Sequence, residues 1–481
     1  MIEKEPGNPK LHRLCIIALI ESDNNQSQRI LNACRLSHRM EDHRLVPDMQ
    51  YGSLPGKLFI TPVLNKQLTH DIIWQTKCTA AIIENDAVGC YDRLMNPLLL
   101  LTMRRLGVGE SVAKSLCLTW STTRHAIKTQ YGVSTLTYSN TPDAPLFGPG
   151  QGSMTGPTLW QLSFVMLVEG ALEEGPEEAL KCPIPSLSLP SVDQAETLDN
   201  VGEAFVDDSN LGCTSSLSLI PHQVSAADQN LHSASALSNL QYLAQHWERV
   251  LFTTGGAINF QKSFWFIFHR HWKNGIAKVV PPPATFQLCL TEGNNMDNPV
   301  VVPMKSVYDT YKTLGVHLSP SGDTKVSVRV LLKKAKDYQA KIASSNLPRE
   351  AALLSYYMYL LPKLGYSLPA MCLPENTCHD IQSPTLMAVL PKLHLNRHVA
   401  WSIVFGSHKY GGLSLRSLYS VQSLGQLTLF VGHSRARDKA SKLLCISLSY
   451  LQLVIGSCTS LFALPHRKYS SWLESYWLVS L

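Results

Sequence analysis

Charge is scarce in this 481-residue chain: Asp, Glu, Lys and Arg together make up 16% of it, against 45% hydrophobic residues. So little charge excludes long disorder and a coiled coil, both of which are built on charged residues. Glycine and proline, 28 of each, stand near their ordinary share and show no period, which excludes a collagen-like chain. The twelve cysteines are scattered without a CxxC pair or a dense framework, so a disulfide-stapled scaffold is excluded as well. Their spacing suits buried thiols of a reducing, intracellular compartment, nucleus or cytoplasm. Cys372, Cys378 and His379 come nearest to a zinc cluster and lack its second half. The apolar run Leu14 to Ile20 is flanked by acids and followed by no small-residue cleavage site, so it reads as a buried strand and not a leader. Leu443 to Leu464 has bilayer length, but Ser447, Ser449, Gln452, Gly456, Ser457, Thr459 and Ser460 make it a core helix, and no membrane partner is expected.

What is present is a chain about three times the usual domain length, enough for two or three subdomains around more than one core. Its 42 basic against 36 acidic residues permit a polyanionic partner without requiring one. Periodicity and turn residues predict a small α/β lobe over residues 1–81, with a helical stretch Glu21 to Arg44. They predict a strand Ala80 to Ile83 ending on Glu84-Asn85-Asp86, then a helix from Pro97 to Leu106 closed by Gly107. A turn-rich region, 131–150, leads through Gly150-Gln151-Gly152-Ser153 into a helix Thr158 to Leu172. Two carboxylates, Asp207 and Asp208, are expected at the tip of a tight hairpin within Glu203 to Leu211. A long helix Ala227 to Phe252 follows, then an aromatic strand Ile258 to Phe268 interrupted by Lys262, loops at 281–283 and 292–299, and a strand Tyr311 to Leu318. Beyond it come helices carrying a basic stripe, Lys325, Arg329, Lys333, Lys334, Lys336 and Lys341.

Phosphoryl transfer from a nucleoside triphosphate uses two divalent cations about 3.5–4 Å apart, which want hard carboxylate oxygens. Asp86 after one strand and Asp207 with Asp208 in a hairpin would converge on such a pair if the two strands lie side by side. The Gly-Gln-Gly-Ser turn offers backbone amides for close approach to a nucleotide or template base. No Gly-Lys-Ser/Thr follows it, so it is not a P-loop.

The order and setting of these segments resemble the reverse transcriptases of retroelements, most closely the polymerase domain of LINE-type, non-LTR retrotransposons. "NDAVGCYDRL" (85–94) is similar to the family's first catalytic motif, "GQGSMTGPTLW" (150–160) to its Gln-Gly-Ser motif, and "AFVDDSNL" (204–211) to the Asp-Asp hairpin. "GGAINFQKSFW" (255–265) resembles the next motif, "YKTLGVHLSP" (311–320) the primer-gripping hairpin and "PGNPKLHRLCIIAL" (6–19) a strand of the fingers lobe. The resemblance implies an α+β fold: a right-hand polymerase (fingers-palm-thumb) with an antiparallel palm sheet and a helical C-terminal region. It would run as partial fingers 1–81, palm 82–100, a fingers or connecting segment 101–149, and palm 150–320 with loops 170–200 and 275–303. The thumb 321–395 and a C-terminal extension 396–481 would follow.

The implied activity is RNA-directed DNA synthesis, with an RNA template, a DNA primer and dNTPs as partners and two Mg²⁺ ions, or Mn²⁺, as cofactors. Asp86, Asp207 and Asp208 would hold the metals, with Asp208 in a supporting role. Lys262 would protonate the leaving pyrophosphate, although a lysine snorkelling from an aromatic strand looks the same in sequence. Tyr91 would act as a steric gate under the sugar, or else fill the core. Gln151 and Gly152 would contact nucleotide or template, Leu314 and Gly315 would grip the primer, and Lys325, Arg329, Lys333 and Lys336 would follow the nucleic-acid backbone. Tyr356, Tyr357 and Tyr359 are expected mainly in the thumb's core. Two departures stand out. Cys15 occupies the place where relatives commonly carry a triphosphate-binding arginine, leaving Arg13 and Lys10 as the nearby cations, and the first and third motifs are far apart in sequence. With no endonuclease, RNase H or zinc knuckle visible, the expectation extends to a longer polyprotein that supplies an endonuclease or fingers segment. The competing reading is a catalytically silent or fragmentary relic that only binds nucleic acid.

Overall fold

A computed structural model describes residues 2–3, 14–15, 19–54, 56–129, 131–141, 148–150, 152–173, 183–184, 198–199, 201–215, 226–293, 295–457, 459–469, 471–473 and 476–481. Two short strands, β1 (Ile2–Glu3) and β2 (Leu14–Cys15), pair at the start. The polar stretch after them is helical as its sequence predicts: α1 (Ser22–Gln28), a π-type turn (Arg29–Cys34) and α2 (Arg35–Asp42).

The centre of the fold is a four-stranded antiparallel sheet. Its spine, β3 (Ala80–Asp86), begins as a run of Ala and Ile, Ala80 to Ile83, buried on both faces as an apolar run in a central strand must be. The chain then passes through α4 (Asn96–Arg105), with Pro97 in its first turn, α5 (Glu110–Thr122), the hairpin β4 (His125–Thr129) and β5 (Gly132–Tyr138), and α6 (Gly156–Glu173). After a small pair, β6 (Pro183–Ile184) and β7 (Leu198–Asp199), it returns as the hairpin β8 (Gly202–Phe205) and β9 (Asp208–Thr214). The helix α7 (Ala226–Thr253) leads to β10 (Phe264–Ile267), and the sheet order is β10-β3-β9-β8. Side chains alternate across this sheet. Ala81, Ile83, Leu211, Cys213, Trp265 and Ile267 face a core made with α6 and α7, through Leu162, Phe164, Leu240 and Trp247. Ala80, Ile82, Phe266 and Phe268 face the opposite layer.

That opposite layer is α3 (Ile60–Thr76), an element its sequence pattern does not reveal. Every residue from Thr61 to Ile73 is buried although Asn65, Lys66, Gln67, His70 and Asp71 are polar, so no apolar stripe marks a solvent side. The helix is covered on its far side by α13 (Leu418–Ala436), α14 (Lys439–Ile455) and the buried Trp477, through Leu429, Leu443, Leu444 and Ile446 against Leu64, Leu68 and Ile72. The C-terminal segment is therefore a wall of the central body and not an appendage.

After β10 the chain makes three hairpins: β11 (Arg270–Lys273) with β12 (Ile276–Val279), β13 (Leu288–Glu292) with β14 (Asn295–Val302), and β15 (Tyr311–Thr313) with β16 (Val316–Leu318). Several expectations are corrected here. The region 275–303, read as loop, is largely strand, and so is 132–138. The predicted strand Tyr311 to Leu318 folds back on itself, because Leu314 and Gly315 adopt left-handed backbone angles (φ 47° and 81°), the geometry of a two-residue hairpin turn. Of the predicted strand Ile258 to Phe268 only Phe264–Ile267 pairs in the sheet. Asn259 to Ser263 form a turn, in which the Lys262 and Ser263 amides donate to the Asn259 carbonyl. A separate helical core follows, made by α8 (Lys325–Ala343), α9 (Arg349–Ser355), α10 (Leu361–Gly365), α11 (Glu375–Lys392) and α12 (Trp401–Phe405) around Leu331, Tyr338, Tyr356, Leu364 and Val389. Cys378 lies within it. Among the described residues no helix is long and apolar enough to cross a membrane.

Candidate active site

The strand register decides where the predicted carboxylates stand. Asp86, the last residue of β3, is directly opposite Asp208, the first of β9. Asp208 is thus a strand residue, and the turn itself is Val206-Asp207. Val206 is forced to φ 58°, a left-handed conformation that a β-branched side chain resists. Its surroundings over-determine that strain. The Val206 carbonyl accepts from Trp160 Nε1 at 2.5 Å, and the Gln50 side-chain oxygen accepts from the amides of Tyr51, Gly52 and Val206 at 2.9–3.2 Å. Gln161 of α6 donates to the Gly52 carbonyl. Gly52 has to be glycine, since a Cβ there would stand 2.5 Å from Val206 Cγ2 and 2.6 Å from its amide nitrogen.

Carboxylates directly opposite each other repel. Asp207, held beside the pair by an Ala87 amide on its carbonyl, has its carboxyl pushed up to about 6 by burial first and by Asp208 and Asp86 besides. Burial also raises Asp208, while the Lys66 ammonium pulls it back down. Asp86 is engaged: its Oδ2 accepts from Lys262 Nζ at 2.8 Å and from Asn259 Nδ2 at 3.0 Å. The hydrogen bond to Asp86 raises Lys262 above the ordinary lysine value. Its ammonium is mostly exposed and stands on the carboxylate, and Asn259 fixes the turn by donating its amide to the Asp86 carbonyl at 2.8 Å. Three hard oxygen donors crowded into mutual repulsion have the chemistry a divalent cation would relieve. Their arrangement falls short of a formed ligand set: among the described residues no group of three or more His, Cys, Asp or Glu is placed to hold a metal ion.

Tyr91 is half-buried, its phenol pushed up by burial first and then by Cys90 and Asp207. The glycine-rich turn packs onto this segment. Gly148 (φ 65°) comes so close to the Tyr91 carbonyl that a Cβ would stand 2.0 Å from it, and a Cβ on Gly156 would lie 3.4 Å from the ring. Close backbone approach is thus one physical reason for glycines here. Asn25 of α1, a residue sequence reasoning missed, clamps the same turn: its Nδ2 donates to the Gly152 carbonyl at 3.2 Å and its Oδ1 accepts from the Met154 amide at 2.8 Å. Gln151, Arg13, Lys10 and the Cys15 side chain lie outside the described residues.

A second group missed in sequence is buried beneath the carboxylates. Lys66 of α3 pairs with Glu84 at 2.6 Å and donates to Thr313 Oγ1 at 3.2 Å, joining α3, β3 and β15 through one ammonium. Glu84 precedes Asp86 by two residues, on the same face of the sheet. On β8, Glu203 pairs with Lys439 of α14 at 2.7 Å and accepts from Asn65 at 3.2 Å. His70, fully buried, is driven down to about 3 by burial and by Lys66, and neither ring nitrogen has a hydrogen-bond partner among the described residues. No sequence signal marks these residues, because each is an ordinary polar residue in a segment without an amphipathic stripe.

The basic residues sort onto two faces. Lys325, Arg329, Lys333 and Lys336 are exposed along one side of α8. Roughly half a turn round the helix, Ser327 donates to the His317 carbonyl at 2.8 Å and Lys334 meets Lys312 and Lys363. Burial first, then these two cations, lowers Lys334; burial, Lys312 and Lys334 lower His317. Tyr366 ties this cluster to the hairpin by donating to the Leu314 carbonyl at 2.9 Å. Of the three tyrosines assigned to the thumb core, Tyr356 is buried there, Tyr357 is partly buried and Tyr359 is exposed with Lys363 on its hydroxyl at 3.1 Å.

No protein-family model matches the chain, and no curated protein is similar to it. Solved structures are. A telomerase from Candida albicans in complex with a fragment of telomeric RNA is 13% identical over 94% of this chain at a TM-score of 0.36. A telomerase from Candida tropicalis, also in complex with a telomeric RNA fragment, is 12% identical over 95% at 0.33, and the apo form from that organism 11% identical over 94% at 0.30. The chain spans 58–60% of the length of those structures. A likeness at TM-scores this low carries no weight for the function of this chain.

Proposed function

We propose that the chain is an RNA-directed DNA polymerase of the LINE-type retrotransposon kind, with the fingers, palm and thumb divided as its sequence suggests. The observation that supports this best is the pairing of Asp86 directly against Asp208 beside the strained Val206-Asp207 turn. A fold that crowds three carboxylates, lifting Asp207 to about 6, carries an electrostatic cost that a function must justify. Asp86 and Asp207 would hold the two Mg²⁺ ions, with Asp208 in support; ions held there would lower the pKa of the primer 3′-hydroxyl and offset the charge of the leaving pyrophosphate.

The remaining steps belong to the chain's own residues. The 3′-oxygen attacks the α-phosphorus of the dNTP, and the bond to the pyrophosphate oxygen breaks. Lys262, released from Asp86, is the proton source for that oxygen. Tyr91, half-buried against Gly156, walls the sugar site and excludes a 2′-hydroxyl. The Leu314-Gly315 turn and the Lys312, His317, Lys334 and Lys363 cluster hold the primer's phosphates, where mutually repelling cations gain most from a polyanion. Lys325, Arg329, Lys333 and Lys336 take phosphates further along the duplex.

A silent, nucleic-acid-binding relic is the second reading, favoured by Lys262 standing on Asp86 and by the incomplete ligand set. Primer extension on an RNA template annealed to a DNA primer, with Mg²⁺ or Mn²⁺ and dNTPs, separates the two. Extension by the wild type that Asp207→Ala abolishes, with duplex binding retained, supports the polymerase. Equal inertness of two proteins that both bind duplex supports the relic.

A further inference from the structure

Strands β4 and β5 form a two-stranded sheet of their own, paired His125 with Tyr138 and Lys128 with Val133. An isolated hairpin is marginal in water and is ordinarily steadied by packing on one face. This one shows apolar and aromatic side chains to solvent instead: Tyr131 is 90% exposed, Leu136 83% and Val133 60%, with Ile127 and Tyr138 also exposed. A patch of that kind on a short element marks a contact surface.

The charge around it has one sign. From Ser111 to Pro142 the sequence contains no Asp or Glu. Arg124 and Lys128 are exposed at the hairpin, and neither makes an ion pair among the described residues. The His125 and Tyr138 rings lie nearly parallel, centroids 5.2 Å apart at 23°, and Tyr131 stands at the turn. Flat rings interleaved with unpaired cations and hydroxyls, without acids, suit an unpaired nucleic-acid strand. Bases stack on the rings, and phosphates meet the cations. A second copy of the chain fits less well, since strand-edge pairing of identical hairpins would bring the same cations together.

We propose that the β4–β5 hairpin docks an unpaired strand of nucleic acid, with Tyr131 and the Tyr138–His125 pair as stacking platforms and Arg124 and Lys128 as phosphate contacts. Naming nucleic acid as the occupant rests on the polymerase reading, while the surface stands on its own residues. The probes are fluorescent oligouridine and a blunt RNA–DNA duplex, titrated with the full chain. Because the altered side chains are exposed, Tyr131→Ser/Tyr138→Ser and Arg124→Ser/Lys128→Ser should melt like the wild type. The aromatic variant should bind oligouridine about tenfold more weakly or worse, at unchanged affinity for blunt duplex. The cationic variant should lower the slope of log K against log salt by about 1.4. Oligouridine binding that neither variant changes, or no binding by the wild type, overturns the proposal. A wild-type dimer in sedimentation that the variants dissociate overturns it too, by making the hairpin a self-interface. Asp207→Ala keeps the two readings apart. Loss of extension with hairpin-dependent binding intact sustains this proposal, and inert wild-type protein that still docks oligouridine through the hairpin removes only the polymerase.

Discussion

Asp207 shows how one residue carries both the cost and the use of this site. Its carboxyl is lifted from 3.8 to about 6, so the folded chain holds a proton there that the unfolded chain has released. Where the native state binds more protons, stability falls as pH rises. The chain should therefore lose stability between about pH 4 and pH 6 on this account, by at most about 3 kcal/mol and less for solvent screening. Asp207→Asn removes the charge. In metal-free buffer at pH 7 it should raise the melting temperature above the wild type, and the gap should close as pH falls towards 4. A wild type that melts higher than the variant at pH 7 without divalent ions would show the carboxylate to be stabilised by its neighbours and not repelled by them.

At the scale of elements, the packing of α7 on β13 illustrates a device that polarity patterns hide. Gln241 and Gln245 each bond both backbone groups of one strand residue, Cys289 and Thr291, and Glu248 accepts from the Gly293 amide at 2.9 Å. Four residues of helix rise about 6.0 Å and two residues of strand about 6.6 Å, so successive helical turns match alternate strand residues. The side chains thereby cover a strand edge that would otherwise be open to pairing. Gln245→Leu should leave the Thr291 amide and carbonyl unsatisfied and cost about 1–3 kcal/mol in denaturant unfolding. A change within about 0.5 kcal/mol would mean that water replaces the glutamine. In sequence these glutamines look like the polar face of an amphipathic helix, and the turn residues at 281–283 and 292–299 make 275–303 read as loop.

At the scale of the whole molecule, a buried ion pair joins segments far apart in the chain. Glu203 of β8 meets Lys439 of α14, and Lys439 also donates to the Gly202 carbonyl at 2.7 Å. Both side chains are more than nine-tenths buried. Removing one partner strands the other charge, so Lys439→Met should destabilise the chain by about 3–5 kcal/mol, with Glu203→Gln/Lys439→Met recovering much of the loss. Additive losses in the two single variants and the double variant would show that the pair is not coupled. Because β8 leads directly into the Val206-Asp207 turn, the single variant should also weaken primer extension, placing the C-terminal helices in support of the site and not outside it.

What the sequence alone determined is local. The apolar run Ala80 to Ile83 that leads to Asp86, the Pro97 helix start and the long helix from Ala226 follow from short-range preferences, and those are strong here. The tertiary structure decided what distance in the chain conceals. Asp86 faces Asp208 only because β3 and β9 pair in that register, and Lys262 reaches Asp86 only because Asn259 turns the chain on it. Lys66 finds Glu84 only because α3, polar and without a stripe, is buried between the sheet and the C-terminal helices. A buried polar residue is set by its partner, and partners that lie on different elements leave no periodic trace in either segment.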